Sequence, residues 1–255
     1  MMRLLNYAAH GTPAQRTLLL IHPLGADLSF WDDCVTIWRP HLCCVACDLR
    51  SAGRSPRASA PVTVGEHVSD LIHLLDHLST GPVVAVACAV GTMIASALAA
   101  RHPERVSALV LSNPTARTKS AAKEMLAERA ATVRRSGMAG ILPAAVERAF
   151  LDQPKDARYQ AYFDRFASQD ADAYALSVLG FAEADVTEDL PKVACPTLLV
   201  AGGHDVLLPP EQAREVNALV PHARFELIED GAHFLPFQRP ERFATLVLDF
   251  LAGIA

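Results

Sequence analysis

The segment Ala87-Cys88-Ala89-Val90-Gly91 has the layout of a sharp strand-to-helix turn that presents a nucleophile, G-x-S-x-G, with alanine where the serine belongs. The outer positions of such a turn are small because the backbone is tight and the helix packs closely on the strand behind it. Presenting Ala89 puts Ala87 and Gly91 at those positions, which fit; presenting Cys88 puts Val86 and Val90 there, two β-branched side chains. Ala89 is therefore assigned the nucleophile position. Cys88 stays as the alternative through a shifted turn, its thiol then needing a lowered pKa near a histidine. Further along, Gly202-Gly203-His204-Asp205 and Gly231-Ala232-His233-Phe234 each follow a segment that reads as a strand. A carboxylate behind an imidazole fixes its tautomer and steadies the imidazolium that forms when it takes a proton, so Asp205 and His233 are the candidate orienting acid and base. The backbone N–H groups of Leu24, in the loop His22-Pro23-Leu24-Gly25, and of Val90 are the candidate oxyanion donors; Pro23 has no N–H to offer.

Those residues lie at the ends of alternating strand and helix patterns. Thr17 to Ile21, Cys43 to Asp48, Val83 to Val86, Val106 to Ser112, Thr197 to Ala201 and Arg224 to Ile228 read as strands. Val64 to Leu78, Gly91 to Arg101 and Pro240 to Leu251 read as helices. Such alternation predicts an α/β fold, a mostly parallel sheet with helices on both faces. Between Thr115 and Asp189 the strand pattern stops and the sequence turns helical, with breaks at Gly137, Gly140, Pro143 and Pro154. This predicts a helical lid, 115–189, inserted into a core formed by 1–114 and 190–255. Within it Arg158, Tyr159, Tyr162, Phe163, Arg165 and Phe166 have spacings that line one helix face. The aromatic members are expected to pack the lid onto the core. Tyr162 and the planar forks of Arg158 and Arg165 are candidate contacts for a substrate carboxylate.

A chain of 255 residues, 51% hydrophobic, can bury one sizeable core with an insertion. A formal charge of −5, with no basic patch interleaved with aromatics, argues against nucleic acid as a partner. No apolar run is long enough to span a bilayer, and Met1-Met2-Arg3-Leu4-Leu5-Asn6-Tyr7 lacks a signal-peptide pattern, so a soluble, cytoplasmic monomer or homodimer acting on a small molecule is expected. Cys43, Cys44 and Cys47 share one apolar run, and the Cys44-Val45-Ala46-Cys47 spacing has no second pair at zinc-site distance. Buried free thiols are the reading. His73 and His77 lie four apart on a helix without the Glu of H-E-x-x-H, which reads as an ordinary helix face rather than a metal clasp.

From Leu18 to the C-terminus the chain resembles the 3-oxoadipate enol-lactonase-like group of the α/β-hydrolase superfamily. The resemblance is carried by Pro23-Leu24-Gly25-Ala26-Asp27-Leu28-Ser29-Phe30-Trp31-Asp32, Leu74-Leu75-Asp76-His77-Leu78, Met93-Ile94 and Ala99-Ala100-Arg101-His102-Pro103-Glu104-Arg105-Val106. The order nucleophile position, Asp, His is that of the superfamily. The resemblance implies the α/β-hydrolase fold and the opening of a small enol-lactone bearing a carboxylate, by Ser, His and Asp without metal or organic cofactor. Carried over, it assigns Asp205 and His233 and places the family's serine on Ala89. Trp31, inside the first segment, joins the substrate-contact candidates. The chain departs from the pattern at Ala89 and at Ser51, which replaces the glycine usual after Asp-x-Arg and bears on turn geometry.

An elbow without a hydroxyl points to a small-molecule hydrolase or lyase acting on a small, acidic carbonyl compound or lactone. In it His233, oriented by Asp205, activates water or removes a substrate proton while two amides hold the anion. This arrangement resembles the aminoacrylate hydrolases of pyrimidine breakdown, with alanine at the elbow. Three alternatives stay open: a Cys88 nucleophile, resembling dienelactone hydrolases; a serine-dependent enol-lactonase or esterase, if Ala89 is an engineered replacement; and a ligand-binding protein without turnover.

Overall fold

In the computed structural model, which describes residues 4–12 and 15–254, the chain opens with β1 (Tyr7–His10), β2 (Thr17–Ile21), α1 (Asp32–Trp38), β3 (Cys43–Cys47), α2 (Val64–His77), β4 (Val83–Cys88), α3 (Gly91–Arg101) and β5 (Val106–Ser112). Four helices follow, α4 (Ser120–Ser136), α5 (Ala144–Ala149), α6 (Ala157–Ala167) and α7 (Ala171–Ala182). The strand and helix pattern then resumes with β6 (Thr197–Gly202), α8 (Pro210–Leu219), β7 (Arg224–Ile228), α9 (Leu235–Gln238) and α10 (Pro240–Gly253). The strands form one seven-stranded sheet of order β1-β3-β2-β4-β5-β6-β7. All neighbours are parallel except β1, which pairs antiparallel with β3 at the edge.

Because side chains alternate across a strand, the central apolar runs feed two cores. Leu18, Leu20, Val84 and Val86 face one apolar cluster, joined by α1, α10 and the α6 and α7 residues Tyr162, Phe166 and Tyr174. Leu19, Ile21, Ala85 and Ala87 face the other, beneath α2 and α3. This is why those strands read as continuous apolar stretches rather than alternating ones. The four helices between β5 and β6 share the first cluster and have no separate core of their own. Three elements escaped the sequence reading: β1, held by backbone pairing at an exposed edge, and the seven-residue α1 and four-residue α9, too short for their periodicity to show. Among the described residues no helix is long and apolar enough to cross a membrane, and no group of three or more His, Cys, Asp and Glu is arranged to hold a metal ion. The six cysteines are free, and Cys34, Cys43, Cys44, Cys47 and Cys88 are buried.

The sheet order reverses direction at β2, whose neighbours are β3 and β4. Crevices outside the carboxyl ends of strands at such a point are where open α/β sheets bind ligands. There the N-terminus of α3 passes against the end of β2: a β-carbon on Gly91 would lie 2.9 Å from the His22 carbonyl oxygen and 3.0 Å from that of Ile21. Gly91→Ala is expected to lower stability by about 1–3 kcal/mol through overpacking, read as a shift of the urea midpoint. An unchanged midpoint would mean that α3 stands off from β2.

Candidate active site

Ala89 closes β4 in the left-handed region, with φ +51°, a conformation that costs an L-residue about 1–2 kcal/mol. It persists because both backbone groups are pinned. The Ala89 N–H donates to the Ser112 carbonyl at 2.9 Å, and the Ala89 carbonyl accepts from the Thr92 amide at 2.9 Å and the Thr92 hydroxyl at 2.5 Å. Strain stored at one residue between a strand and a helix is the geometry of a presented side chain, and the residue presented is Ala89. Cys88 is the last residue of β4, fully buried in the apolar cluster, its Sγ 3.7 Å from the His233 carbonyl oxygen. Burial pushes its thiol well above the ordinary value, and it does not line the cavity described below. The nucleophile reading of Cys88 is corrected on that ground: a sealed, protonated thiol cannot reach a substrate.

Behind the turn, His233 Nδ1 lies 2.9 Å from Asp205 Oδ2. The same oxygen accepts from Asn113 Nδ2 at 2.5 Å, and the other carboxylate oxygen accepts from the amides of Leu207 and Leu208 at 2.8 and 2.9 Å. Burial alone would raise the Asp205 pKa. The charge of His233, its hydrogen bond and the donors from Leu208 and Asn113 outweigh that and hold the carboxyl below its usual value. The loops that carry the pair are tied together, since the Gly203 and His204 amides donate to the carbonyls of Ile228 and Gly231 at 2.9 and 2.8 Å.

The loop after β2 is set by a histidine that the sequence reading passed over. The Leu49 amide donates to His22 Nε2 at 2.9 Å, so Nδ1 carries the proton and donates to the Pro23 carbonyl at 2.8 Å. Burial keeps this imidazole neutral by lowering its pKa. In a trans peptide C=O and N–H point in opposite directions, so holding the Pro23 oxygen aims the Leu24 N–H. The amides of Leu24 and Val90 have no protein acceptor among the described residues.

Leu24, Ala89, Val90, Tyr162 and His233 line one cavity of 140 Å³, far more than the roughly 10–15 Å³ a single water needs. Its roof comes from α4 to α7, where Tyr162, Phe166 and Tyr174 both line the cavity and pack onto the sheet. The other substrate-contact candidates lie elsewhere. Trp31 is fully buried beside Trp38 and Phe243; Arg158 forms surface ion pairs with Asp33 and Glu241; Arg165 holds the Ser29 hydroxyl at 2.6 Å outside the cavity. Helical spacing placed Tyr162 and the two arginines on one face of α6, and they share it, but the long arginine side chains are drawn to partners outside the cavity, Arg158 to Asp33 and Glu241 and Arg165 to Ser29. The cavity instead receives Arg117, Lys119 and Arg129, and no Asp or Glu lines it.

Residues 16–240 match the family model described as the alpha/beta hydrolase fold. The chain belongs to the α/β-hydrolase family. It is 30% identical to a protein of Caulobacter sp. (strain K31) named, provisionally, carbamate hydrolase RutD, over 98% of this chain and 97% of that one. It is 26% identical to 3-oxoadipate enol-lactonase 2 of Acinetobacter baylyi (strain ATCC 33305 / BD413 / ADP1), over 94% and 90%. Among solved structures, the enol-lactonase of Burkholderia xenovorans LB400 superimposes with a TM-score of 0.92 at 28% identity, covering 97% of this chain and 96% of that one. A thermophilic esterase of Thermogutta terrifontis, with malate bound, gives 0.90 at 28%, covering 98% and 93%. The chain is thus an enzyme of this fold, a hydrolase of the enol-lactonase-like group.

In this α/β-hydrolase several site residues were missed by sequence reasoning, among them His22, Asn113 and the cavity cations Arg117, Lys119 and Arg129. Asn113 carried a signal, standing at the end of an expected strand immediately before Pro114. The folded-state pKa of Asp205 lies below the unfolded value of about 3.9. Its carboxylate therefore stabilises the fold at all pH above that value, and the contribution is lost as pH falls through the folded-state pKa. In Asp205→Asn the stability gap to the parent is expected at neutral pH and to shrink below about pH 4, measured by thermal melts at stepped pH. A gap constant over that range would mean that Asp205 is not an ion in the folded state.

Proposed function

We propose that this enzyme hydrolyses a small anionic acyl compound, an enol-lactone, activated ester or carbamate, by direct attack of water and without an acyl-enzyme. The observation that carries the reading is the imidazole of His233, backed by Asp205, sharing one cavity with the methyl of Ala89 and two amides free of protein acceptors. His233 Nε2 takes a proton from water as the water oxygen bonds to the acyl carbon. The carbonyl oxygen becomes an oxyanion between the N–H groups of Leu24 and Val90. The intermediate then expels its leaving group, which takes the proton back from the imidazolium. Asp205 holds His233 in the tautomer this requires, and residues 115–189 act as the lid that keeps bulk water out.

The anionic character rests on the cavity walls. Arg129 makes a single long hydrogen bond, 3.4 Å to Tyr174 Oη, and no ion pair among the described residues, while Lys119 is paired with Glu215 outside. A guanidinium in a cavity without acids is matched by a substrate carboxylate. The named activities of the relatives, on carbamate and enol-lactone, are both attacks on an acyl carbon bearing a heteroatom leaving group.

With 3-oxoadipate enol-lactone and p-nitrophenyl acetate as substrates, His233→Ala should abolish turnover. Intact-protein mass spectrometry of the parent should show no acyl adduct, whereas Ala89→Ser should give one together with a burst. An adduct on the parent, at Cys88 or elsewhere, overturns the water route. Arg129→Gln should raise KM for the lactone carboxylate by about 10–100-fold, the worth of a charge-assisted hydrogen bond, and leave the neutral ester unchanged. Equal loss on both substrates would remove Arg129 from substrate recognition.

A further inference from the structure

One helix outside the sheet reaches the loop that carries Leu24. Tyr162, Arg165, Phe166 and Gln169 recur at the i, i+3, i+4 and i+7 spacing of one face of α6 and its C-terminal extension. The Gln169 side-chain amide donates to the Gly25 carbonyl at 2.7 Å, and the Tyr162 hydroxyl lies 3.4 Å from the same oxygen. Gly25 adopts φ +79°, and a β-carbon there would overlap the Phe166 ring. At the far end of the loop Arg165 donates to the Ser29 hydroxyl, its guanidinium over the rings of Tyr162 and Phe237 at 5.1 and 5.3 Å.

We infer that Gln169 and Arg165 are positioning residues for the oxyanion hole, acting through the backbone of this loop. The peptide whose carbonyl Gln169 holds is Gly25–Ala26, and its N–H donates to the Pro23 carbonyl at 3.2 Å. That second carbonyl belongs to the peptide that carries the Leu24 N–H. A relay of two amides therefore runs from the helix to the oxyanion donor, each hydrogen bond orienting and polarising the next, and His22 enters it at the Pro23 oxygen. Arg165 anchors the other end of the same loop. Since Tyr162 and Phe166 also line the cavity, a seated α6 and an aimed Leu24 amide go together.

The inference rests on the oxyanion role of Leu24, so its test has an arm independent of turnover. Amide hydrogen exchange is measured on the parent, Gln169→Leu, Arg165→Met and the conservative Arg165→Lys. Exchange at Ala26, Leu28 and Ser29 should accelerate tenfold or more in Gln169→Leu and Arg165→Met, with β5 amides unchanged, and return towards the parent in Arg165→Lys. On 3-oxoadipate enol-lactone, kcat should fall at least tenfold with KM within twofold and Tm preserved. Loop exchange unchanged in Gln169→Leu overturns the inference, as does acceleration spread evenly over helices and sheet with a falling Tm. If the parent fails to turn the lactone over while the exchange pattern appears, the proposed reaction fails and the relay stands.

Discussion

The site depends on a single strained residue, an alanine held left-handed where β4 meets α3. That conformation is unfavourable for any side chain, and it survives because the carbonyl of Ser112 and the first turn of α3 grip both ends of the residue. From it follow the requirement for a residue without a β-carbon at Gly91, the unshared N–H of Val90 and the sealed position of Cys88. A fold that keeps this strain while lacking the hydroxyl it ordinarily presents has kept the amide and the space beside it. Those are what the proposed attack by water would use.

Charge is separated around that point in a consistent way. The carboxylate paired with the candidate base, Asp205, is hidden behind His233 and surrounded by donors from Asn113, Leu207 and Leu208. Its ionised form is favoured, yet it does not face the cavity. Among the described residues the cavity wall carries cations and no acid, the setting the proposed anionic substrate calls for, while the Asp205 carboxylate touches His233 from behind.

Most of the fold was legible because buried parallel strands are continuous apolar runs, and Thr17–Ile21 and Val106–Ser112 stand where those runs put them; the helix Gly91–Arg101 and the partly buried edge strand Arg224–Ile228 also stand at the expected bounds. Asp205 and His233 were legible for the same reason, each following a readable strand. Trp31 and Arg158 misled: an aromatic in a family segment became core, and an arginine on the right helix found carboxylates outside it. Arg129 was invisible because its meaning depends on α4 crossing over the strand ends, and His22 because its partners are backbone groups 1 and 27 positions away in sequence.

Taken alone, the order of residues determined the fold class, the register of the turn at Ala89 and the strand ends that carry Asp205 and His233, since these rest on local size limits and on periodicity. The packed structure decided which groups share a cavity: it removed Cys88, Trp31, Arg158 and Arg165, admitted Arg129, and linked Gln169 to the Leu24 amide. Contacts of that kind depend on where separate elements cross and on the direction each side chain takes from its own backbone, which no local pattern encodes.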